Sequence, residues 1–295
     1  MKNKISFKRF QAREIVLTIK EVFLQLLFPP VCPVCGKILK LPKMGNLLFR
    51  AFIFSNIQIL NITPPSDFRS FMICDECITK LPYVREPRCI CCSRPLEAED
   101  EIYCDICRRR SLFFDGGSAL FLHDATAKKI IYDLKFHNLR DNARFLGFEF
   151  ALRFHDLIFF WKPDVCIPVP LHKKRFRQRS FNQAQLIAEW FSFWIEKLYR
   201  IHLSVDSEYL LRTENTRPQR ILESGMRSGN VRNAFSISCQ NAEPRPESNK
   251  NKVPRYRCVL LIDDIFTSGS TIDACSRTLK EAGCRQVFFL TASIV

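Results

Sequence analysis

Hydrophobic and polar positions follow two alternating periods from about residue 111 onward. Four short apolar runs predict buried β-strands, near residues 117–122, 164–170, 258–264 and 287–294. Apolar residues spaced three or four apart predict helices between them, near residues 125–137, 142–156, 182–199 and 270–282. Strands that alternate with helices are typical of an α/β domain with a mainly parallel sheet. We therefore predict one such domain over residues 111–295.

Residues 1–30 predict a separate N-terminal helix. Apolar residues between Ile15 and Leu26 recur at helical spacing, and two prolines at 29 and 30 end the pattern. Charges interrupt this segment, so it lacks the continuous apolar core of an export signal. The apolar stretch 46–62 carries polar interruptions, which disfavour a membrane span. These patterns predict a cytoplasmic protein without a transmembrane span.

Residues 31–110 form the cysteine-rich part of a chain that has 14 cysteines. In a reducing cytoplasm, clustered cysteines are more often metal ligands than disulfides. Four pairs have C-x-x-C spacing: Cys32/Cys35, Cys74/Cys77, Cys89/Cys92 and Cys104/Cys107. Two such pairs complete a tetrahedral S₄ site with no position left for water, which is typical of structural zinc. The spacing therefore predicts a double zinc ribbon with two structural zinc ions.

Two features of these pairs are open from the spacing alone. Sequential pairing needs the shortest loops, since the first two pairs then share one ion and the last two share the other; a crossed pairing is the alternative. Cys91 and Cys92 both follow Cys89 closely. Cys92 restores the spacing of the other pairs, which makes Cys91 a spare thiol.

The net charge of the chain indicates the kind of partner that it binds. Its 45 lysines and arginines exceed its 30 aspartates and glutamates, for a formal net charge of +15. Such an excess favours an anionic partner, which is a phosphate, a nucleic acid or a membrane surface. A hydrophobic content of 47% excludes a mostly disordered chain.

The most informative segment runs from Val259 to Thr271. Four apolar residues predict a buried strand, the adjacent carboxylates Asp263 and Asp264 follow it, and a Thr/Ser/Gly loop then opens a helix. Backbone N–H groups at a helix N-terminus bind anions, while carboxylates accept hydrogen bonds from sugar hydroxyls. One segment can thus bind a sugar together with its phosphate. The alternative is an ordinary strand–turn–helix with N-capping hydroxyls.

This strand–Asp-Asp–loop pattern resembles the 13-residue phosphoribosyl pyrophosphate (PRPP) motif of type I phosphoribosyltransferases. In that family the acidic pair binds the ribose 2′- and 3′-hydroxyls and the loop binds the 5′-phosphate. The resemblance assigns the first role to Asp263 and Asp264. It assigns the second role to Thr267, Ser268, Gly269, Ser270 and Thr271.

Further segments widen the resemblance to the ComF/GntX family of competence-associated proteins. They are the cysteine pairs, the Leu134–Phe136 segment, residues 167–184 with their basic run, and residues 211–235. The resemblance covers nearly the whole chain from about Pro29. It implies an α/β fold with a type I phosphoribosyltransferase-like parallel sheet flanked by helices, behind a double zinc ribbon. Two positions depart from the family, which usually has glycine at Ser180 and a basic residue at Glu214; both lie in expected anion-binding loops.

The family resemblance implies a pentosyl transfer. A nucleophile replaces pyrophosphate at the anomeric carbon of PRPP, and Mg²⁺ bridges the ribose hydroxyls and the pyrophosphate. Arg175, Arg177 and Arg179 are expected to stabilise the leaving group, with Arg212 and Arg227 closing over it. His172 is a candidate acid–base residue, and the alternative is a histidine that only packs in a turn.

Three functions compete at this point. The first is a phosphoribosyltransferase of unknown acceptor, associated with competence and DNA uptake or use. The second is a non-catalytic accessory protein that binds PRPP or a nucleotide and single-stranded DNA, together with a helicase-like partner. Phe176 and Phe181, which lie among arginines, are compatible with stacking on bases. The third is a zinc-ribbon interaction protein, which the intact acidic pair and loop disfavour.

Overall fold

A computed structural model of the protein describes residues 29–39, 69, 72–213, 234–238 and 255–295. Outside the described residues lie the predicted N-terminal helix up to residue 28, the stretch 46–62, Glu214 and Arg227. The chain divides into two compact units, Met1–Lys80 and Leu81–Val295. The domain limits at residues 30 and 110 stay predictions.

The second unit is built on a parallel sheet of four strands. The six strands of the described chain are β1 Gly116–Leu122, β2 Val165–Pro168, β3 Leu210–Arg212, β4 Phe235–Ile237, β5 Cys258–Phe266 and β6 Gln286–Ile294. The sheet has the order β1-β6-β5-β2, and every neighbouring pair is parallel. β3 and β4 form a separate antiparallel pair. The predicted α/β fold with a parallel sheet is confirmed.

Helices connect and flank these strands. They are α1 Asp75–Ile78, α2 Asp105–Arg109, α3 Ala125–Phe136, α4 Asp141–Trp161, α5 Lys173–Arg179, α6 Gln183–Tyr199 and α7 Ser270–Glu281. α1 belongs to the first unit and the others to the second. Side chains cap two of the predicted helices, since Asp124 accepts from the Ala127 N–H and Asn182 from the Ala184 N–H. Within the described residues, none of the helices has the length and hydrophobicity that crossing a membrane requires.

The helix α5 has no counterpart among the predicted elements. Its sequence, Lys173–Arg179, contains one apolar residue, Phe176, and therefore has no hydrophobic periodicity. The helix begins at the cap His172 and ends where Ser180 adopts a left-handed conformation with φ of +64°. Local capping and not core packing sets its limits.

The sheet is buried on both faces. The β5 residues Val259 to Ile262 are fully buried, which is typical of a parallel strand covered by helices on both sides. At one end of the sheet, Phe266 and Phe289 stack with ring centroids 4.8 Å apart, and Phe114 meets Phe289 edge-on at 4.9 Å. The same buried cluster contains Cys89, Cys92 and Cys104. The second group of cysteines is therefore part of the core of this unit.

Candidate functional site

The two groups of four cysteines lie where metal ligands are expected. The Sγ atoms of Cys32, Cys35, Cys74 and Cys77 lie within 4.8 Å of one another, and so do those of Cys89, Cys92, Cys104 and Cys107. Cys35 and Cys74 have their sulfurs 3.7 Å apart, as do Cys92 and Cys104. A tetrahedron with Zn–S bonds of about 2.3 Å has edges of about 3.8 Å, so the donors fit zinc.

These groups settle the two features that the spacing left open. The pairing is sequential, and Cys92 belongs to the second group while Cys91 lies outside it. Cys74 and Cys104 each occupy the N-cap position of a short helix, and the second cysteine of each pair lies within that helix. Two Cys₄ clusters of the kind found in a double zinc ribbon are thus present, one in each compact unit.

The acidic pair lies where the sheet opens at the carboxyl end of β5. The ladder between β2 and β5 ends at Pro168 and Ile262, with one more bond from the Val169 N–H to the Ile262 carbonyl at 2.9 Å. β5 itself continues beside β6 as far as Phe266. Asp263 and Asp264 therefore have a strand on one side only. Ligands bind at such carboxyl ends in open parallel sheets.

Two side chains divert the groups that would continue the ladder. The Asp264 N–H donates to the carboxylate of Asp263 at 2.8 Å. The Val169 carbonyl accepts from the side-chain amide of Asn182 at 3.0 Å. Because both groups already have partners, β2 does not extend along the acidic pair, and the edge beside β5 stays open.

Lys135 brings a positive charge to the acidic pair. It stands near the end of α3, and its Nζ lies 2.7 Å from Oδ1 of Asp264. Both side chains are only 14% exposed, so water screens this ion pair less than a surface pair. Lys135 lies in the segment Leu134–Phe136 that contributes to the family resemblance, but its sequence context predicts no role for it. The sequence alone does not distinguish this lysine from the others, because its contact with Asp264 depends on the packing of α3 against this edge of the sheet.

The ionisation of Asp263 is strongly perturbed. Its residue is mostly buried, and loss of hydration raises its pKa to about 7, helped by the neighbouring negative charge of Asp264. The Asp264 N–H, Lys135 and Arg212 act in the opposite direction. The pair therefore attracts a proton, a cation or hydrogen-bond donors near neutral pH. Such a perturbed acid at a sheet edge is typical of a functional site.

Two of the predicted arginines, Arg179 and Arg212, lie near the acidic pair, and Arg175 lies near both of them. Burial lowers the pKa of Arg179, while the charge of Asp264 raises it. Burial also lowers the pKa of Arg212, and Asp263 raises it. Arg175 lowers the pKa of both arginines, so its charge lies close to each of them. Arg179 also stacks on an aromatic ring of α3, with its Cζ 4.9 Å from the Phe136 centroid.

The remaining predicted residues of the basic run lie elsewhere. Arg177 lines an open hollow of about 550 Å³ along α5, together with His172, Lys173, Lys174 and Gln178. His172 caps this helix, since its Nδ1 accepts from the Lys174 N–H at 3.2 Å. That contact gives His172 a structural role in the turn, the alternative to acid–base chemistry. Arg227 lies outside the described residues.

The loop after β5 turns at a glycine before α7 begins. Gly269 precedes α7 with φ of +77°, a left-handed conformation that favours glycine. A Cβ there would lie 2.8 Å from Cζ of Phe266, so a side chain does not fit without movement. The hydroxyls of Ser268 and Ser270 lie 2.8 Å apart. The Asp273 N–H donates to the Gly269 carbonyl at 2.8 Å and closes the first turn of α7.

Ser180, one of the two positions expected to depart from the family pattern, also has a left-handed backbone conformation. Its N–H donates to the Phe176 carbonyl at 2.7 Å, which ends α5. This backbone conformation favours glycine, since a Cβ adds about 1–2 kcal/mol of strain there. The chain tolerates serine without losing the turn.

Comparison with known proteins identifies the relatives of this chain. No family model matches it. Competence protein F of Haemophilus influenzae is 29% identical over 225 residues, which cover 74% of this chain and 83% of that protein. Competence protein ComFC of Bacillus subtilis is 23% identical over 218 residues, 72% of this chain and 79% of that protein.

A third relative matches a shorter part. The DNA utilization protein YhgH of Escherichia coli O157:H7 is 31% identical over 125 residues, which span 42% of this chain and about half (47%) of that protein. The two longer matches extend over most of both chains. Together with the two Cys₄ clusters that accompany the parallel sheet, they confirm the resemblance to the ComF family that the sequence motifs predict.

Proposed function

We propose that the chain binds PRPP, or a nucleotide with the same ribose 5-phosphate, together with Mg²⁺ and transfers the phosphoribosyl group to a nucleophile. The observation that carries the proposal is the acidic pair Asp263–Asp264, which shares one strand–helix junction with the loop Thr267–Thr271. The names of the relatives associate them with competence and with DNA utilization. We extend that association to this chain as a cytoplasmic protein of DNA uptake or use.

Each part of the junction has a chemical role in this proposal. The carboxylates of Asp263 and Asp264 accept hydrogen bonds from the ribose 2′- and 3′-hydroxyls. The N–H groups and hydroxyls of residues 267–271 bind the 5′-phosphate, with support from the positive end of α7. Lys135 stays close to the carboxylates and offsets their mutual repulsion.

The reaction exchanges one bond at the anomeric carbon. The bond to the pyrophosphate oxygen breaks and its electron pair leaves with pyrophosphate. The nucleophile forms the new bond and loses a proton to solvent or to a nearby base. Arg175, Arg179 and Arg212 stabilise the departing negative charge. Mg²⁺, when bound, neutralises part of the charge on pyrophosphate.

Both Cys₄ clusters bind structural zinc in this proposal. Four thiolates fill the tetrahedral coordination, so no position stays open for water or substrate. The second cluster lies in the core of the sheet unit, where Cys89, Cys92 and Cys104 are buried. Zinc there stabilises the fold and takes no part in the transfer.

Two measurements test the transferase proposal. Calorimetry with PRPP and Mg²⁺ should give a roughly micromolar dissociation constant for the wild type, in the range of metabolite sites. The double variant Asp263→Asn/Asp264→Asn should lose that binding, and equal affinity would overturn the site assignment. Pyrophosphate release with a panel of nitrogenous bases tests turnover. Binding without release for every base would favour the second function.

The second candidate is a non-catalytic accessory protein that binds single-stranded DNA. The observation that favours it is the basic surface of α5, where Phe176 is 47% exposed among lysines and arginines. Aromatic rings between phosphate-binding cations stack on bases without sequence preference. A helicase-like partner would then share the strand. Affinity for a fluorescent oligonucleotide should fall steeply with salt, and a flat response would remove this candidate.

A further inference from the structure

An arginine of residues 89–109, the segment that contains the second Cys₄ cluster and is called the ribbon below, reaches the predicted phosphate loop. Arg94 lies between the cluster residues Cys92 and Cys104 in the sequence. Its Nη2 donates to the Thr267 carbonyl at 2.6 Å, and its Nη1 donates to the Val295 carbonyl. Thr267 is the first residue of the loop, and Val295 follows β6. One guanidinium thus joins the ends of two neighbouring strands.

The cysteine cluster fixes the backbone of this arginine. The Cys89 N–H donates to the Arg94 carbonyl at 2.8 Å and closes a turn that contains two cluster residues, Cys89 and Cys92. Ser93 within the turn is buried and donates from its hydroxyl to the Gly117 carbonyl of β1 at 3.2 Å. The turn is therefore held by the cluster on one side and by the sheet on the other. Arg94 extends from this rigid support.

The contact determines how one peptide group of the loop is oriented. In a trans peptide the carbonyl oxygen and the following N–H point in opposite directions. Because the Thr267 carbonyl points to Arg94, the Ser268 N–H points away from the ribbon. A charged donor makes this bond stronger than one between neutral groups. The end of the loop is also tied to β6, since the Val295 N–H donates to the Phe266 carbonyl at 3.0 Å.

We propose that Arg94 is a positioning residue through which the second Cys₄ cluster holds the loop Thr267–Thr271 in its anion-binding shape. This inference rests on the proposed phosphate-binding role of that loop. Arg94 touches main-chain atoms of the loop and acts through them. Loss of metal from the second cluster would release the turn Cys89–Arg94 and loosen a phosphate site that contains no cysteine.

The test compares Arg94→Ala, Arg94→Lys and the matched control Arg108→Ala in the full chain. Arg108 is in the same ribbon and also donates to a backbone carbonyl, that of Tyr103 at 3.1 Å, but this contact stays within the ribbon. Hydrogen exchange measured by mass spectrometry follows the amides of residues 266–276. The Asp273 amide, which donates to the Gly269 carbonyl, is the reporter of loop closure.

We expect the reporter to exchange roughly tenfold faster in Arg94→Ala, in keeping with the loss of a charge-assisted hydrogen bond. Arg94→Lys, which has one donor group in place of a fork, should fall between the wild type and the alanine variant. Arg108→Ala should match the wild type. Equal exchange in Arg94→Ala and wild type would overturn the inference, whether or not the protein binds PRPP.

Calorimetry with PRPP and Mg²⁺ separates this inference from the proposed function. If the wild type binds PRPP, Arg94→Ala should weaken the affinity roughly tenfold, and an unchanged affinity would overturn the positioning role in binding. If the wild type does not bind PRPP, the proposed function fails. Faster exchange in Arg94→Ala would then still support the link between the ribbon and the loop.

Discussion

Lys135 and Asp264 form an ion pair across the edge of the sheet, with 2.7 Å between Nζ and Oδ1, although 129 residues separate them in the chain. Lys135 comes from α3 and Asp264 from β5. The pair offsets the repulsion between two adjacent carboxylates that share this edge. Removing the lysine therefore leaves a negative charge that water hydrates incompletely.

We expect Lys135→Met to lower the free energy of unfolding by about 1–3 kcal/mol, between the values for surface and buried pairs. Urea denaturation at pH 7 measures it. Lys129→Met is the matched control on the same helix, because Lys129 is 51% exposed and its partner Asp133 also contacts His137. The control should cost less than about 1 kcal/mol. A double-mutant cycle with Asp264→Asn that shows no coupling would contradict the role of this pair.

The raised pKa of Asp263, about 7, predicts a defined pH dependence of stability. The unfolded carboxyl titrates near 3.9, so between about pH 4 and 7 the folded state binds more protons than the unfolded state. Stability from this group is present below pH 4 and is lost as the pH rises to 7. Asp263→Asn removes the titration. The variant should therefore gain stability relative to wild type as pH rises, by about 1–4 kcal/mol at pH 8.

Urea denaturation of both proteins at intervals from pH 4 to 8 checks this expectation. Other titrating groups cancel in the difference between the two curves, provided that the substitution leaves them unchanged. A difference that stays constant with pH, or one that grows toward acid, would contradict the raised pKa. The same titration predicts that Mg²⁺–PRPP, which favours the ionised pair, binds more tightly at pH 8 than at pH 6.

Metal content distinguishes the ligands of the second cluster from their neighbour. Purified protein should contain about two zinc ions per chain by elemental analysis. Cys92→Ser should lower this content to about one, because serine is a poor zinc ligand, while Cys91→Ser should leave it at about two. A zinc ion lost in Cys91→Ser and kept in Cys92→Ser would reverse the assignment of these two residues.

Ser180→Gly should stabilise the protein. The serine has φ of +64°, where a Cβ is strained and glycine is not. Glycine gains more freedom in the unfolded chain, so the net gain should be about 0.5–1 kcal/mol. Thermal and urea denaturation measure the gain. Ser180→Ala is the control, since it removes the hydroxyl but keeps the strain. A similar gain in stability in Ser180→Ala would show that loss of the hydroxyl, and not relief of strain, causes the effect.

The sequence pattern predicts the four strands of the parallel sheet and four helices closely, but it predicts neither α5 nor the β3–β4 pair. The helix expected at 182–199 is observed at Gln183–Tyr199, because its apolar stripe and its N-cap Asn182 both indicate a start near residue 183. The strand expected to end at residue 264 continues to Phe266, because pairing with β6 supports two more residues. The acidic pair and the loop are likewise adjacent in the sequence, so their shared location follows from one segment.

Contacts between distant segments are the part that the sequence could not supply. The ion pair of Lys135 and the reach of Arg94 depend on how α3 and the ribbon pack on the sheet. The sequential pairing of the cysteines also needed the fold, since both pairings satisfy the same spacing. Nearness in the sequence also does not give Arg177 the surroundings of Arg179, because Arg179 lies near Asp264 while Arg177 lines the hollow along α5.

Because the hydrogen-bond ladder between β2 and β5 stops before Asp263, the opening beside this residue forms as the protein folds. Asn182 and the Asp263 carboxylate hold the two backbone groups that would otherwise seal it. A ligand that binds there therefore breaks no hydrogen bonds between strands, so its binding free energy includes no cost for opening the sheet. Preorganisation of this kind suits a small, highly charged metabolite, which must exchange its many bound waters for fixed dipoles within a single encounter.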